Sequence, residues 1–349
     1  MLAAYAATVG GDDPLANLKV GDLPRPVPRP GWALVRVRAA ALNHHDLWTL
    51  RGVSASPIVP PQILGCDAAG VLEEYGGGGE VPEGFPAVGA RVVVYPVVVC
   101  GHCVACLSDD PEGCRNARVF SELPLAGTMA EFVEVPVQNL VPLPDGVDFA
   151  EAACLPTAYL TAYHMLFTRA ALRPGETALV QGASGGVATA AIILGRLGGL
   201  TVFATSRDAA KRQLALDLGA EAVFAPERST ARALIEATGG RGVDAVIETV
   251  GEPTWDLSLR SVRPGGMVVV AGATGGDNPP AQLRRVFFRR LTIAGSTMGT
   301  RGELRRLVDL CATGALRPLI GATHSLSDAA AAFAEMDRGE LHGKIVIAV

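Results

Sequence analysis

Apolar and polar positions follow two rhythms along this chain. From Trp32 to Val37 they alternate as in a strand with one buried face, behind the spaced prolines Pro24, Pro26, Pro28 and Pro30, and Val92 to Val99 is rich in β-branched residues. A segment rich in strands and turns is predicted as far as Glu151, where the period changes. EAACLPTAYLTAYHML carries a helical repeat, TALVQGA reads as a buried strand, and a glycine turn leads into the helix VATAAIILGRLGG. Strand and helix then alternate: LTVFATS, DAAKRQLALDLGA with Gly219 as its stop, AVFA, TARALIEATGG, DAVIETV, and the strands GGMVVVAGAT and LTIAGST. Such alternation builds a parallel sheet covered by helices on both faces. The last stretch, from Arg301 onward, predicts two amphipathic helices and a final strand that rejoins the first domain.

Composition narrows what this α/β chain does. At 349 residues it suits two domains, and 49% hydrophobic against 19% charged residues describes a soluble globular protein. A net charge of −5 gives no electrostatic footprint for nucleic acid or an anionic membrane, so a small-molecule substrate is the expected partner. The start, MLAAYAATVGGDDP, lacks the basic region of a signal peptide, and the apolar stretch from Ala178 to Thr205 is interrupted by Gly182, Gly185, Gly186 and Arg196. A cytoplasmic protein is expected. In a reducing compartment four cysteines within the fifteen residues CGHCVACLSDDPEGC point to metal or redox chemistry rather than to disulfides.

The glycine turn lies in LVQGASGGVATAA, between a predicted strand and a predicted helix. There the backbone of Ser184, Gly185, Gly186 and Val187 can approach a pyrophosphate whose charge sits on the helix N-terminal amides, with Ala188 small enough for close packing of helix and strand. An NAD site places Asp or Glu near the end of the second strand; this chain has Thr205, Ser206 and Arg207, with Lys211 one turn on. Hydroxyl and guanidinium suit a 2′-phosphate, so NADP(H) is favoured over NAD(H), with Asp208 as the opposing feature.

Taken in order, CGHCVACLSDDPEGC, GASGGVA and HGKIV resemble the medium-chain dehydrogenase/reductase superfamily over essentially the whole chain. The resemblance implies a GroES-like β-rich catalytic domain over residues 1–155 with a structural zinc lobe near 95–115. It implies a Rossmann doubly wound parallel sheet binding NADP(H) over 156–292, then the last Rossmann strand and a return to the catalytic domain over 293–349. Cys100, Cys103, Cys106 and Cys114 match the ligands of one structural Zn²⁺; four thiolates fill a tetrahedral shell and leave no open position for substrate. His102 is then expected at the surface.

The zinc alcohol dehydrogenases of this superfamily hold a second, catalytic zinc, and the matching positions here carry Asn43, Cys66 with Asp67, and Thr157. Only Cys66 is a good zinc ligand, whereas a catalytic site needs three protein ligands. Without that Lewis acid simple alcohol chemistry loses its electrophile, while a quinone or an α,β-unsaturated carbonyl accepts hydride onto a resonance-stabilised system. The quinone oxidoreductase branch is similar in this respect. Asn43, His45, Cys66 and Thr157 are therefore the candidate catalytic pocket, with His45 or water as the proton donor; the plainer expectation for His44 and His45 is that one packs or hydrogen-bonds internally and the other faces solvent. Trp48, Phe120 and Met129 are either pocket lining or core. The resemblance further assigns Thr157, Ala271, Gly272, Ala273, Gly295, Ser296 and Thr297 to the nicotinamide region, Lys344 to the cofactor phosphates, and the edge strand near Leu291 to Ser296 to a homodimer. Two alternatives remain: a zinc-dependent alcohol or aldehyde dehydrogenase whose metal site is rearranged around His44, His45 and Asp67, and a sensor that holds NADPH without turnover.

Overall fold

A computed structural model describes residues 1–54, 56–78, 83–108, 111–340 and 342–349. The chain forms two compact units, Met1–Thr157 with Thr300–Val349, and Ala158–Gly299.

In the first unit the strand Trp32–Ala41 is the hub. It pairs antiparallel with Asp67–Tyr75 along its length, with Phe132–Pro136 at its start, and with Lys344–Ala348 through Ala39, Ala40 and Ala41. Burial alternates cleanly only from Val35 to Ala39, with Arg36 and Arg38 exposed; register shifts at Leu34/Val35 and Val37/Ala39 break the strict period. The partner strand tolerates this because Gly70 has no side chain: a Cβ there would stand 2.1 Å from the Arg36 carbonyl oxygen. Phe120 and Met129 are fully buried in the core with Leu42, Leu47, Leu50 and Phe333, which makes them packing residues, whereas Trp48 is half-buried. A two-stranded ribbon, Val97–Val98 with Arg118–Val119, closes the base of the cysteine loop.

The second unit is a six-stranded, wholly parallel sheet in the order Ala222–Phe224, Thr201–Thr205, Thr177–Val180, Val243–Glu248, Val262–Val270, Thr292–Gly295. Its central strands are buried on both faces, as continuous apolar runs require. Strand order reverses between Thr177–Val180 and Val243–Glu248, the switch point at which such sheets bind ligands. The predicted helix after Glu151 is interrupted by wide turns over Leu155–Tyr159 and His164–Arg169, shown by the Ala170 amide reaching the carbonyl of Met165. Two elements had no clear apolar period: the helix Glu252–Ser261, started by Pro253, and the strand Ile320–Ser325, which runs parallel to Lys344–Ala348.

The final strand brings a charge into the first unit. Lys344 is 3% exposed, and its Nζ donates to the Leu42 carbonyl at 2.6 Å, to Asn43 Oδ1 at 2.6 Å and to Asp67 Oδ2 at 3.2 Å. The expectation that Lys344 reaches cofactor phosphates is corrected by this placement, because its three ammonium donors are held inside its own unit. Removing one partner of a buried pair leaves the other charge uncompensated. Lys344→Met is expected to destabilise the first unit by about 3–5 kcal/mol, and Lys344→Met/Asp67→Leu to recover most of that loss, measured by denaturant unfolding.

Candidate active site

Two groups of side chains form at the start of the helix His44–Leu50 and the strand Asp67–Tyr75. The first is centred on the fully buried Asp67. Its Oδ2 accepts from Asn43 Nδ2 at 2.9 Å as well as from Lys344, and its Oδ1 accepts from Thr157 Oγ1 at 2.5 Å. Asn43 is fixed from its own backbone too: its amide donates to Asp46 Oδ2 at 2.8 Å, while Asp46 Oδ1 accepts from the Gly65 amide at 2.9 Å. Asp46 is thus a buried cap, its pKa raised by burial. Two of the three positions where the resemblance looks for zinc ligands, Asn43 and Thr157, are joined here through Asp67, and the Lys344 ammonium bonds both Asn43 and Asp67. A lysine cation answers Asp67.

The second group turns away from the first. Cys66 Sγ stands 3.5 Å from His45 Nδ1 and donates to the Phe120 carbonyl at 3.3 Å, and His45 Nε2 faces Glu122 Oε1 at 3.3 Å. Burial pushes the Cys66 thiol up to about 11, against the pull of the neighbouring His45. The sulfur beside it pushes His45 up to about 11 against burial, with hydrogen bonds to Cys66 and Glu122 and the charge of Asp46 acting the same way. The hydrogen bond from His45 in turn holds the Glu122 carboxyl below its ordinary range. The sulfur on one side and the Glu122 carboxylate on the other both favour the protonated form of His45. Of the two neighbouring histidines, His44 is the exposed one.

Sequence reasoning named Asn43, His45, Cys66 and Thr157 but missed their organisers. Asp67 had been weighed only as a zinc ligand, and Glu122 had not been singled out. A signal existed for one: a lysine opening the apolar strand KIVIA needs a buried anion.

The glycine turn leaves room for a ligand. Gly182 has φ +82°, Gly185 caps the helix Gly186–Leu197, and a Cβ added at Gly185 would meet nothing within 4 Å. The first-turn amides of that helix have no intrahelical acceptor, as a pyrophosphate site requires, and Ser184 and Val187 lie in the same turn. Beyond Thr201–Thr205, Arg207 is exposed, and the Asp208 carboxylate accepts from the Lys211 amide at 2.8 Å, which turns it toward its own helix. Ser206 Oγ accepts from the Asp208 amide at 3.2 Å. Ala271, Gly272 and Ala273 follow the end of Val262–Val270 and are half-buried. Gly295 closes the strand Thr292–Gly295, followed by Ser296, whose hydroxyl is buried without a hydrogen-bond partner, and by exposed Thr297. An open turn, free amides and an orphan hydroxyl fit a dinucleotide.

Cys100, Cys103, Cys106 and Cys114 converge, with Sγ separations of 3.5 Å for Cys103 and Cys106, 3.7 Å for Cys114 and Cys100, and 3.9 Å for Cys100 and Cys106. Tetrahedral Zn–S bonds of about 2.3 Å put ligand sulfurs about 3.8 Å apart. The four thiols fit one zinc, which would tie the loop together and leave no position for substrate. His102 is exposed, and its Nδ1 donates to the Cys100 carbonyl at 2.7 Å.

The same architecture recurs in known proteins. Residues 29–145 match the alcohol dehydrogenase GroES-like domain and residues 186–313 the zinc-binding dehydrogenase family. A solved structure described as an NAD-dependent alcohol dehydrogenase superposes with a TM-score of 0.92 at 35% identity, covering 100% of both chains. An acryloyl-coenzyme A reductase of Sulfurisphaera tokodaii is 29% identical over 320 residues, 90% of this chain and 91% of its own. A quinone oxidoreductase of Mus musculus is 28% identical over 338 residues, 93% of this chain and 92% of its own. With a GroES-like unit, a parallel nucleotide-binding sheet and these relatives, the chain belongs to the medium-chain dehydrogenase/reductase superfamily of NAD(P)-dependent oxidoreductases.

Proposed function

We propose that this oxidoreductase reduces conjugated acceptors, quinones or α,β-unsaturated carbonyl compounds, with NADPH and without a catalytic zinc. One observation carries the reading: Asp67 accepts from Asn43, Thr157 and the Lys344 ammonium, which also donates to Asn43, and Cys66 is bound to His45. A metal there would have to displace a buried cation. Bound NADPH supplies the hydride. Hydride delivered to a conjugated acceptor places charge on an oxygen stabilised by resonance, and the chain's part is to orient that oxygen and return a proton. His45 is the proton donor in this reading, and Glu122 accepts from its Nε2 and favours the cation. Names among the relatives, a quinone oxidoreductase and an acryloyl-coenzyme A reductase, agree with conjugated acceptors.

A second reading has one observation in its favour: His45, Asp46 and Cys66 offer donor atoms within 4.8 Å of one another, a set that a rearranged zinc site would use. Asp46, however, already accepts two backbone amides. For the coenzyme, Ser206, Arg207 and Lys211 favour the 2′-phosphate, since Asp208 is turned into its helix cap; the alcohol dehydrogenase of similar structure is described as NAD-dependent. For assembly, the edge strand Thr292–Gly295 and the helix Leu283–Arg289 expose Leu283, Phe287, Phe288 and Ile293, a patch suited to strand pairing with a second copy.

About one zinc per chain by metal analysis, with NADPH-dependent reduction of a quinone or enone, is the expected result; about two would establish the rearranged site. Arg207→Ala is expected to weaken NADPH binding about tenfold or more and leave NADH unchanged in titrations of both, and an unaltered preference removes the assignment. Because the His45 pKa is raised, its acid form persists through neutral pH and is lost only as pH rises through the raised value. Glu122→Gln removes one support of that cation, so the alkaline fall in kcat is expected at lower pH than in the unaltered protein. Light scattering is expected to give twice the chain mass of 36.1 kDa, and a monomer refutes the pairing.

A further inference from the structure

A carboxylate with no cation lies under the nucleotide turn. Glu248 ends the strand Val243–Glu248, is fully buried, and forms no salt bridge among the described residues. Its Oε1 accepts from the amides of Val250 at 2.9 Å and Gly251 at 3.0 Å, and Thr254 Oγ1 stands 2.9 and 3.0 Å from its two oxygens. These groups open the helix Glu252–Ser261, whose N-terminal dipole favours an anion. The remaining contact leads elsewhere. Ser258 Oγ donates to Glu248 Oε2 at 2.6 Å, Gln181 Nε2 donates to Ser258 Oγ at 2.9 Å, Thr205 Oγ1 donates to Gln181 Oε1 at 2.6 Å, and the Gly182 amide donates to Thr205 Oγ1 at 3.3 Å.

Glu248, Ser258, Gln181 and Thr205 are buried and Gly182 is half-buried, and every bond points the same way, from Gly182 toward Glu248. The direction has a cause. Hydroxyls and amides can be turned to donate or accept, but an ionised carboxylate only accepts, so the member at the end sets the sense of all the others. The series links the carboxyl ends of Thr201–Thr205, Thr177–Val180 and Val243–Glu248, the three strands on the two sides of the switch point. It also ties down the first glycine of the turn while leaving the amides of the next helix turn for a ligand.

We infer that Glu248 is a positioning residue for the coenzyme: through Ser258, Gln181 and Thr205 its carboxylate fixes the conformation of the Gly182 turn. This rests on the reading of that turn as the dinucleotide site. Ser258→Ala cuts the series and leaves Glu248 its amides and Thr254; Glu248→Gln replaces the acceptor with an amide able to reverse the series; Thr254→Val removes a Glu248 donor that lies outside it.

The test uses the full chain, with NADPH affinity from fluorescence titration and amide hydrogen exchange across residues 181–188 in the absence of coenzyme. Ser258→Ala and Glu248→Gln are expected to raise the NADPH Kd about tenfold and to speed exchange at Gly182, with coenzyme KM rising and acceptor KM unchanged. Thr254→Val is expected to stay within about twofold of the unaltered Kd. Unchanged Kd in folded Ser258→Ala and Glu248→Gln, or a loss in Thr254→Val equal to that in Ser258→Ala, overturns the proposal. If the unaltered protein binds neither NADPH nor NADH, the coenzyme reading itself is overturned and the proposal with it.

Discussion

A buried carboxylate must be answered, and in the first unit the answer to Asp67 organises its surroundings. The ammonium of Lys344, the amide of Asn43 and the hydroxyl of Thr157 all converge on one side chain with no exposure to water. Each comes from a different part of the chain: the final strand, the start of a short helix, and the wide turn at Leu155–Tyr159. Low polarity around the group makes each bond strong and makes an unmet partner costly. Four residues are thereby held in one arrangement, and Cys66, the neighbour of Asp67, must point the other way, toward His45.

The second unit treats an anion differently. Glu248 has no ammonium, only amides, hydroxyls and the start of a helix. The difference suits the two places. A salt bridge fixes a point, whereas a chain of neutral hydrogen bonds ending on a carboxylate transmits orientation across three strands.

Much of this fold was legible because its signals are local. Alternating apolar runs and helical repeats marked the parallel sheet, and GASGGVA placed the turn between strand and helix, where it is found. The helix Glu252–Ser261 escaped because its buried face includes Thr254 and Ser258, which serve the Glu248 network, and Ser261, which bonds the Leu257 carbonyl, and these polar residues hide the apolar period. The strand Ile320–Ser325 escaped because its burial is only partial, residue by residue, so its sequence carries little hydrophobic contrast. In the site, the residue types at positions 43, 66 and 157 could be read directly, but their partners could not. Lys344 lies 277 residues from Asp67 and Glu122 lies 77 from His45, and no local period reports a contact across such a separation.

The place of Lys344 in the chain also bears on how the protein is made. The second unit is continuous, Ala158–Gly299, whereas the first is assembled from both ends of the chain. During synthesis Asp67 emerges long before its cation, with the whole nucleotide-binding unit translated in between. Until the strand Lys344–Ala348 docks beside Ala39, Ala40 and Ala41, Asp67 lacks its cation, so the charge balance of the first unit waits on a strand translated after the second unit.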